Sequence, residues 1–225
     1  MQKIHVWRYY DVTVALFVSS LLTANIIAVK LIEIGPFILP AGVVIFPVSY
    51  ILGDILTEVY GFRWARRAIW LGFVGNLVAV IAIWIAGLLP SPAFWDSQDA
   101  YDAILGFTPR LLVASFVAYL VGEFANSTVL AKMKVWTQGR HLWARTISST
   151  IIGQGLDSIV FVVIAFGGIL IPAAIVATVL SQWVFKSAYE IMATPLTYLV
   201  VNKLKQVEGV DVYDTNTNMN PFSFE

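Results

Sequence analysis

Apolar residues in this chain neither alternate nor recur on one face; they run on in blocks long enough to cross a bilayer. A spanning helix needs about 20 mostly apolar residues, and six blocks approach or exceed that length: 12–32, 41–60, 68–89, 109–131, 146–169 and 172–202. Turn residues punctuate them: Gly35-Pro36 and Pro40, then Gly61, Pro90 and Pro92, and Gly167-Gly168 with Pro172. Connections this short predict antiparallel neighbours, and Pro195 predicts a kink in the last block. The expected fold class is all-α: a polytopic membrane protein with a six-helix transmembrane bundle over 1–207. A polar tail over 208–225 is expected to be disordered.

Composition sharpens this. Of 225 residues 59% are hydrophobic and 12% charged, about half the charge of a soluble domain, so a water-soluble surface cannot be built and the lipid bilayer is the first expected partner. The net charge is zero, which gives no field directed at nucleic acid. There is no cysteine, which rules out disulfides and thiolate metal sites. His5 and His141 are solitary, so neither a metal nor another cofactor is expected.

Basic residues set the orientation, because cytoplasmic loops retain Lys and Arg. Lys3 and Arg8, then Arg63, Arg66 and Arg67, then Lys132, Lys134, Arg140 and Arg145, then Lys203 and Lys205 all fall on one side, eleven of the fourteen. The loop between the third and fourth blocks carries Asp96, Asp99 and Asp102 instead. Both termini are therefore expected in the cytoplasm, with the chain multi-pass in the inner membrane. The first block exceeds the 7–15 apolar residues of a signal h-region and is expected to stay uncleaved.

Polar residues inside the blocks carry the functional signal, since an ionisable group near the bilayer centre costs at least about 2.5–3.5 kcal/mol. Glu123 and Asn126 share a stripe with Ser115 and Tyr119; Gln154, Asp157 and Ser158 share another. Gln182, Lys186, Tyr189, Glu190 and Thr197 line the last block, and Tyr50, Asp54 and Glu58 stand one turn apart. At 1.5 Å per residue Glu123, Gln154, Asp157, Gln182 and Lys186 fall at middle or inner depth, where a transporter site is expected. Asn25 lies in the outer half of the first block.

Plainer roles compete with that one. Lys186 and Glu190 could neutralise each other at i,i+4, though in the less favourable order. Glu58 could anchor the inner interface against Arg63, Arg66 and Arg67. Asp54 and Glu58 repel if both are ionised, which makes them candidates for proton coupling or for pairing with a base on another helix. Trp64, Trp70, Trp95, Trp136 and Trp143 are expected in an interfacial belt, whereas Trp183 lies beside Gln182 and could stack on a flat ligand or only pack. Ala24 and Ala28 suit close helix contact. The loop 91–107 is read either as a gate or as an interfacial hairpin.

Three stretches resemble the queuosine precursor transporter family, also called the vitamin uptake transporters. They are the run from Phe46-Pro47 through Asp54 and Glu58 to Tyr60-Gly61, the run from Arg145 through Ser148-Ser149, Gln154 and Asp157-Ser158, and the run from Lys186 through Tyr189-Glu190 to Pro195. The resemblance implies an inner-membrane importer of 7-cyano-7-deazaguanine and 7-aminomethyl-7-deazaguanine, and no enzyme. It also implies a small nucleobase-like partner. In that reading Glu123 or Asp157 grips the base edge, Gln154, Asn126 and Gln182 complete its hydrogen bonds, and Trp183 or Phe46 covers its face. The competing functions are a substrate-binding subunit driven by a separate ATPase complex and, less in keeping with the residues, an intramembrane enzyme. A homodimer and coupling subunits stay open as partners.

Overall fold

The computed structural model describes residues 7–34, 37–106 and 109–223 and is mostly helical. Lys3, His5, the Gly35-Pro36 turn and Phe107 lie outside the described residues. The order is α1 (Tyr10–Ile27), β1 (Leu31–Ile34), β2 (Phe37–Pro40), a 3-10 turn (Ala41–Val44), α2 (Phe46–Tyr60), α3 (Phe62–Leu88), α4 (Gln98–Leu105), α5 (Pro109–Trp136), α6 (Leu142–Phe166) and α7 (Pro172–Glu208).

The first two predicted spans need correction. Helix α1 stops at Ile27, and the chain makes an antiparallel hairpin in which Leu31 pairs with Pro40 and Ile34 with Phe37. The Ala41 N–H donates to the Lys30 carbonyl at 2.7 Å and closes its base. Helix α2 starts at Phe46, with Pro47 in its first turn where a missing N–H costs nothing. Its 15 residues extend roughly 22 Å, less than the ~30 Å hydrocarbon core. Helix α3 begins earlier than expected, so Arg63, Arg66 and Arg67 occupy its first two turns. Between α2 and α3, Gly61 takes φ 84°, and a Cβ there would lie 2.7 Å from Val212.

Among the described residues, four stretches are long and apolar enough to cross a membrane: α1, α3, the stretch Gln98–Trp136 containing α5, and α6. Helix α7, with 37 residues, is long enough, but Gln182, Lys186 and Glu190 dilute its apolar character. Leu71, Val74, Val78, Ile81, Trp84, Ile85 and Leu88 of α3 are exposed, an apolar face suited to lipid.

Helix α2 sits centrally, packed on α1, α3, α5 and α7, while α5 and α6 form the most intimate pair. A Cβ on Gly122 would lie 2.8 Å from the Asp157 Cβ, and one on Gly153 would lie 2.8 Å from the Asn126 Cβ. Each glycine thus lets the opposing backbone approach closely. Ala24 and Ala28 are covered by Gly42 of the same chain, where a Cβ would lie 2.7 Å from the Ala24 carbonyl oxygen.

One end of the bundle gathers the start of α1 and the ends of α2 and α7. The Glu208 carboxylate accepts from the Arg8 and Tyr9 N–H groups at 3.0 and 2.7 Å and from the Tyr60 hydroxyl at 3.1 Å. The tail expected to be disordered makes specific contacts with α3 there. Asp214 accepts the Phe62 N–H at 3.0 Å, satisfying an orphan donor at the start of α3. Arg66 donates to the Asn218 and Asn220 carbonyls and Trp70 to the Pro221 carbonyl. Polar composition suggests disorder, but these backbone acceptors are consumed by donors on α3.

Candidate functional site

Four helices converge on a buried polar centre. Helix α2 brings Tyr50 and Asp54, one turn apart; α5 brings Glu123 and Asn126; α6 brings Thr150, Gln154 and Ser158; α7 brings Ser187 and Glu190. All are at most 8% exposed. The Asn126 amide donates to Asp54 Oδ1 at 2.8 Å. Glu123 lies opposite Gly53, where a Cβ would come 3.2 Å from its Oε2, so the bare glycine leaves room for the carboxylate. Tyr50 neighbours Gln154, Asp157, Glu123 and Glu190, and Glu190 is within electrostatic reach of Asp54 and Glu123.

Much of this polar surface is unpaired. Asp54 Oδ2, both oxygens of Glu123, Asn126 Oδ1 and both amide atoms of Gln154 make no hydrogen bond, nor do the hydroxyls of Thr150, Ser158 and Ser187. Buried polar groups are normally satisfied, and each exception has a cost of about 1–3 kcal/mol. The exceptions are concentrated between four helices. Counted with both carboxyls ionised, five of the open atoms only accept, against one that only donates, the Gln154 Nε2.

The centre is enclosed. Depressions in the surface lie elsewhere, one against Tyr9 and Leu204 and one beside Pro90 and Trp95.

Ion pairs distribute the remaining charges. Lys186 binds Asp157 across α6 and α7 at 2.5 Å, with its ammonium 5.2 Å from the Phe46 ring centroid. The alternative pairing of Lys186 with Glu190 is not formed, because the i,i+4 geometry in that order is poor and Asp157 is within reach. Glu58 also differs from expectation. Its carboxylate takes a two-pronged grip from Arg145 at 3.0 and 2.7 Å, with Lys205 at 2.6 Å and Lys134 at 3.5 Å, so its partners come from α5, α6 and α7 and not from the arginines of α3. Lys134 and Lys205 also hold Asp211, each at 2.7 Å. Burial alone would raise the Asp211 carboxyl, but those two hydrogen bonds outweigh it and hold the group below its ordinary range.

The other sequence candidates lie as follows. The Phe46 and Tyr50 rings meet at a tilt of 46° with centroids 4.7 Å apart. The Trp183 indole donates to the Ile151 carbonyl at 2.8 Å and lies against Gly155 of α6. Asn25 donates to Asn76 on α3, and Gln182 is half-buried. Tyr50, Thr150, Ser158 and Ser187 were not picked out as site residues from sequence, although Tyr50 and Ser158 share stripes with Asp54 and Gln154. Among the described residues no three His, Cys, Asp or Glu side chains are grouped to hold a metal ion.

A bundle of apolar helices with its polar side chains gathered inside defines a multi-pass membrane protein. The chain belongs to the family described as "Putative vitamin uptake transporter", whose model matches residues 40–200. It is 30% identical over 177 residues to the "Probable queuosine precursor transporter" of Bacillus subtilis (strain 168), covering 78% of this chain and 77% of that one. It is 27% identical to the "Queuosine precursor transporter" of Escherichia coli (strain K12), covering 54% and 52%. Against the "Probable queuosine precursor transporter" of Haemophilus influenzae (strain ATCC 51907 / DSM 11121 / KW20 / Rd) identity is 29%, covering 56% and 51%, so the matched segment spans about half of these last two relatives. All three relatives are named as transporters. No solved structure matches the chain.

Proposed function

We propose that this protein imports queuosine precursors, 7-deazaguanine bases such as the 7-cyano and 7-aminomethyl forms, across the inner membrane. The observation that carries the reading is the enclosed, acceptor-rich set of unpaired groups on α2, α5, α6 and α7. A guanine-type edge offers adjacent N–H donors that one carboxylate accepts as a pair. Asp157 is occupied by Lys186, so Glu123 takes the edge. Gln154 and Asn126 complete the hydrogen bonds, and the aromatic pair Tyr50 and Phe46 flanks the ring. Anionic vitamins and nucleotides would meet lone pairs here, which disfavours them.

Six crossings with both ends in the cytoplasm complete the proposal. It draws support from the end of the bundle where Tyr9, Tyr60 and Glu208 meet, which also carries Arg66, Lys134, Arg145 and Lys205. In the competing role as a subunit of an ATP-driven complex, Ala24 and Ala28 would pack on a partner, whereas here they face Gly42 of the same chain. Uptake of labelled 7-deazaguanine by cells dependent on this protein tests the function. Glu123→Gln and Gln154→Ala should each lower uptake at least about tenfold at normal membrane abundance, the cost of one or two buried hydrogen bonds. Undiminished uptake in both would overturn the assignment.

A further inference from the structure

Charge accounting around the centre leaves a surplus. Lys186 is taken by Asp157, while Arg145, Lys134 and Lys205 are taken by Glu58. Asp54, Glu123 and Glu190 have no cationic partner among the described residues, and all three are at most 5% exposed. They come from three different helices, so each has been brought to this place by the tertiary fold and not by local sequence.

One carboxylate is enough for the paired N–H groups of a guanine-type edge. That leaves Asp54 and Glu190 for another part of the ligand. Asn126 fixes Asp54 through Oδ1, leaving Oδ2 open. The buried Thr150 hydroxyl lies against the Glu190 carboxylate, and the buried Ser187 hydroxyl makes no hydrogen bond; both oxygens are able to accept. Ser187 stands one turn before Glu190 on α7. These carboxylates are not grouped tightly enough to chelate a metal ion. A group carrying one positive charge and several N–H donors fits them, which is a description of a primary ammonium.

We infer that Asp54 and Glu190, with Thr150 and Ser187, form a subsite for a cationic amine on the ligand, so that the protein prefers an aminomethyl-substituted 7-deazaguanine to the nitrile. The inference rests on the 7-deazaguanine reading above. Removed from water, an ammonium beside a carboxylate is held far more strongly than at a surface. A nitrile is uncharged and offers only a weak acceptor, which faces lone pairs in the same place.

The test is equilibrium competition binding on the purified full-length protein with the aminomethyl base, the cyano base and a neutral 7-methyl analogue. The wild type should bind the amine about tenfold or more tightly than either neutral base, the scale of one well-desolvated charge pair. Glu190→Gln and Asp54→Asn should each weaken the amine alone and bring the three affinities within about threefold. Equal affinities in the wild type, or a preference untouched by both substitutions, would overturn the subsite while leaving the transport reading intact. If none of the bases binds folded wild-type protein, the transport reading fails and the subsite with it.

Discussion

Asp54 and Glu58 stand one turn apart on α2, both 1% exposed, and their surroundings are opposite. Glu58 is gripped by Arg145, Lys205 and Lys134. Asp54 has one amide hydrogen bond, from Asn126, and one open oxygen. A single turn of helix thus separates an ionic clamp at the basic end of the bundle from the polar centre. The clamp joins α2, α5, α6 and α7, the same helices that supply the centre, so its integrity and the site's geometry are linked.

Removing one member of a buried ion cluster leaves the others uncompensated, a cost of about 3–5 kcal/mol. Glu58→Gln should therefore lower the thermal unfolding midpoint in detergent clearly, with a loss of that size. An unchanged midpoint would show the clamp to be energetically idle.

Lys186 and Asp157 should behave as one unit. Lys186→Met or Asp157→Asn alone leaves a charge in the bundle at a cost of about 2.5–3.5 kcal/mol, whereas the double variant removes both charges. A double-mutant cycle on stability should show a favourable coupling of more than about 1 kcal/mol. Simple additivity would contradict the pairing.

The joint between α5 and α6 should not tolerate a methyl group. Gly153→Ala places a Cβ 2.8 Å from that of Asn126, an overpacking that costs about 1–3 kcal/mol, and it should weaken ligand binding by displacing Asn126. Gly155→Ala, whose nearest neighbour would be the Trp183 indole at 3.3 Å, should be milder. Midpoints and affinities of both variants check the order.

How much of this was legible in the sequence depends on the range of the interaction. Apolar runs located most helices, and stripes of polar residues located Glu123, Asn126, Gln154 and Asp54. The hairpin was hidden because Leu31–Ile34 and Phe37–Pro40 look like helix extensions in hydropathy, although Gly35-Pro36 between them was a turn signal. Hydropathy also cannot see a helix that continues past the apolar block, as α3 does through its arginines. Partners such as Arg145 for Glu58 or Lys186 for Asp157 depend on which helices pack together, and no local spacing encodes that. The close approach at Gly122 and Gly153 was missed for the same reason. The contacts of the carboxy-terminal segment are not legible either, because composition does not reveal that Arg66 and Phe62 donate to its acceptors.

That segment should respond to pH through Asp211. Its folded carboxyl sits below the ordinary value, which is near 3.9 when unfolded. The stabilisation is fully present above that value and is lost as pH falls through the folded one. Hydrogen exchange of residues 210–223 should accelerate only in acid below about pH 4, beyond the intrinsic pH dependence. Asp211→Asn should abolish that extra step. A step persisting in the variant would place the titration elsewhere.

The central claim is that the unpaired groups between α2, α5, α6 and α7 are kept for a ligand at the expense of stability. Apolar replacements of similar shape should remove that expense along with the binding. The most direct measurement is the unfolding midpoint of Glu123→Met and Gln154→Met, with and without saturating 7-aminomethyl-7-deazaguanine. The account predicts ligand-free midpoints equal to or above the wild type and no shift on adding the base, where the wild type shifts upward. Lowered midpoints with the ligand shift retained would contradict it.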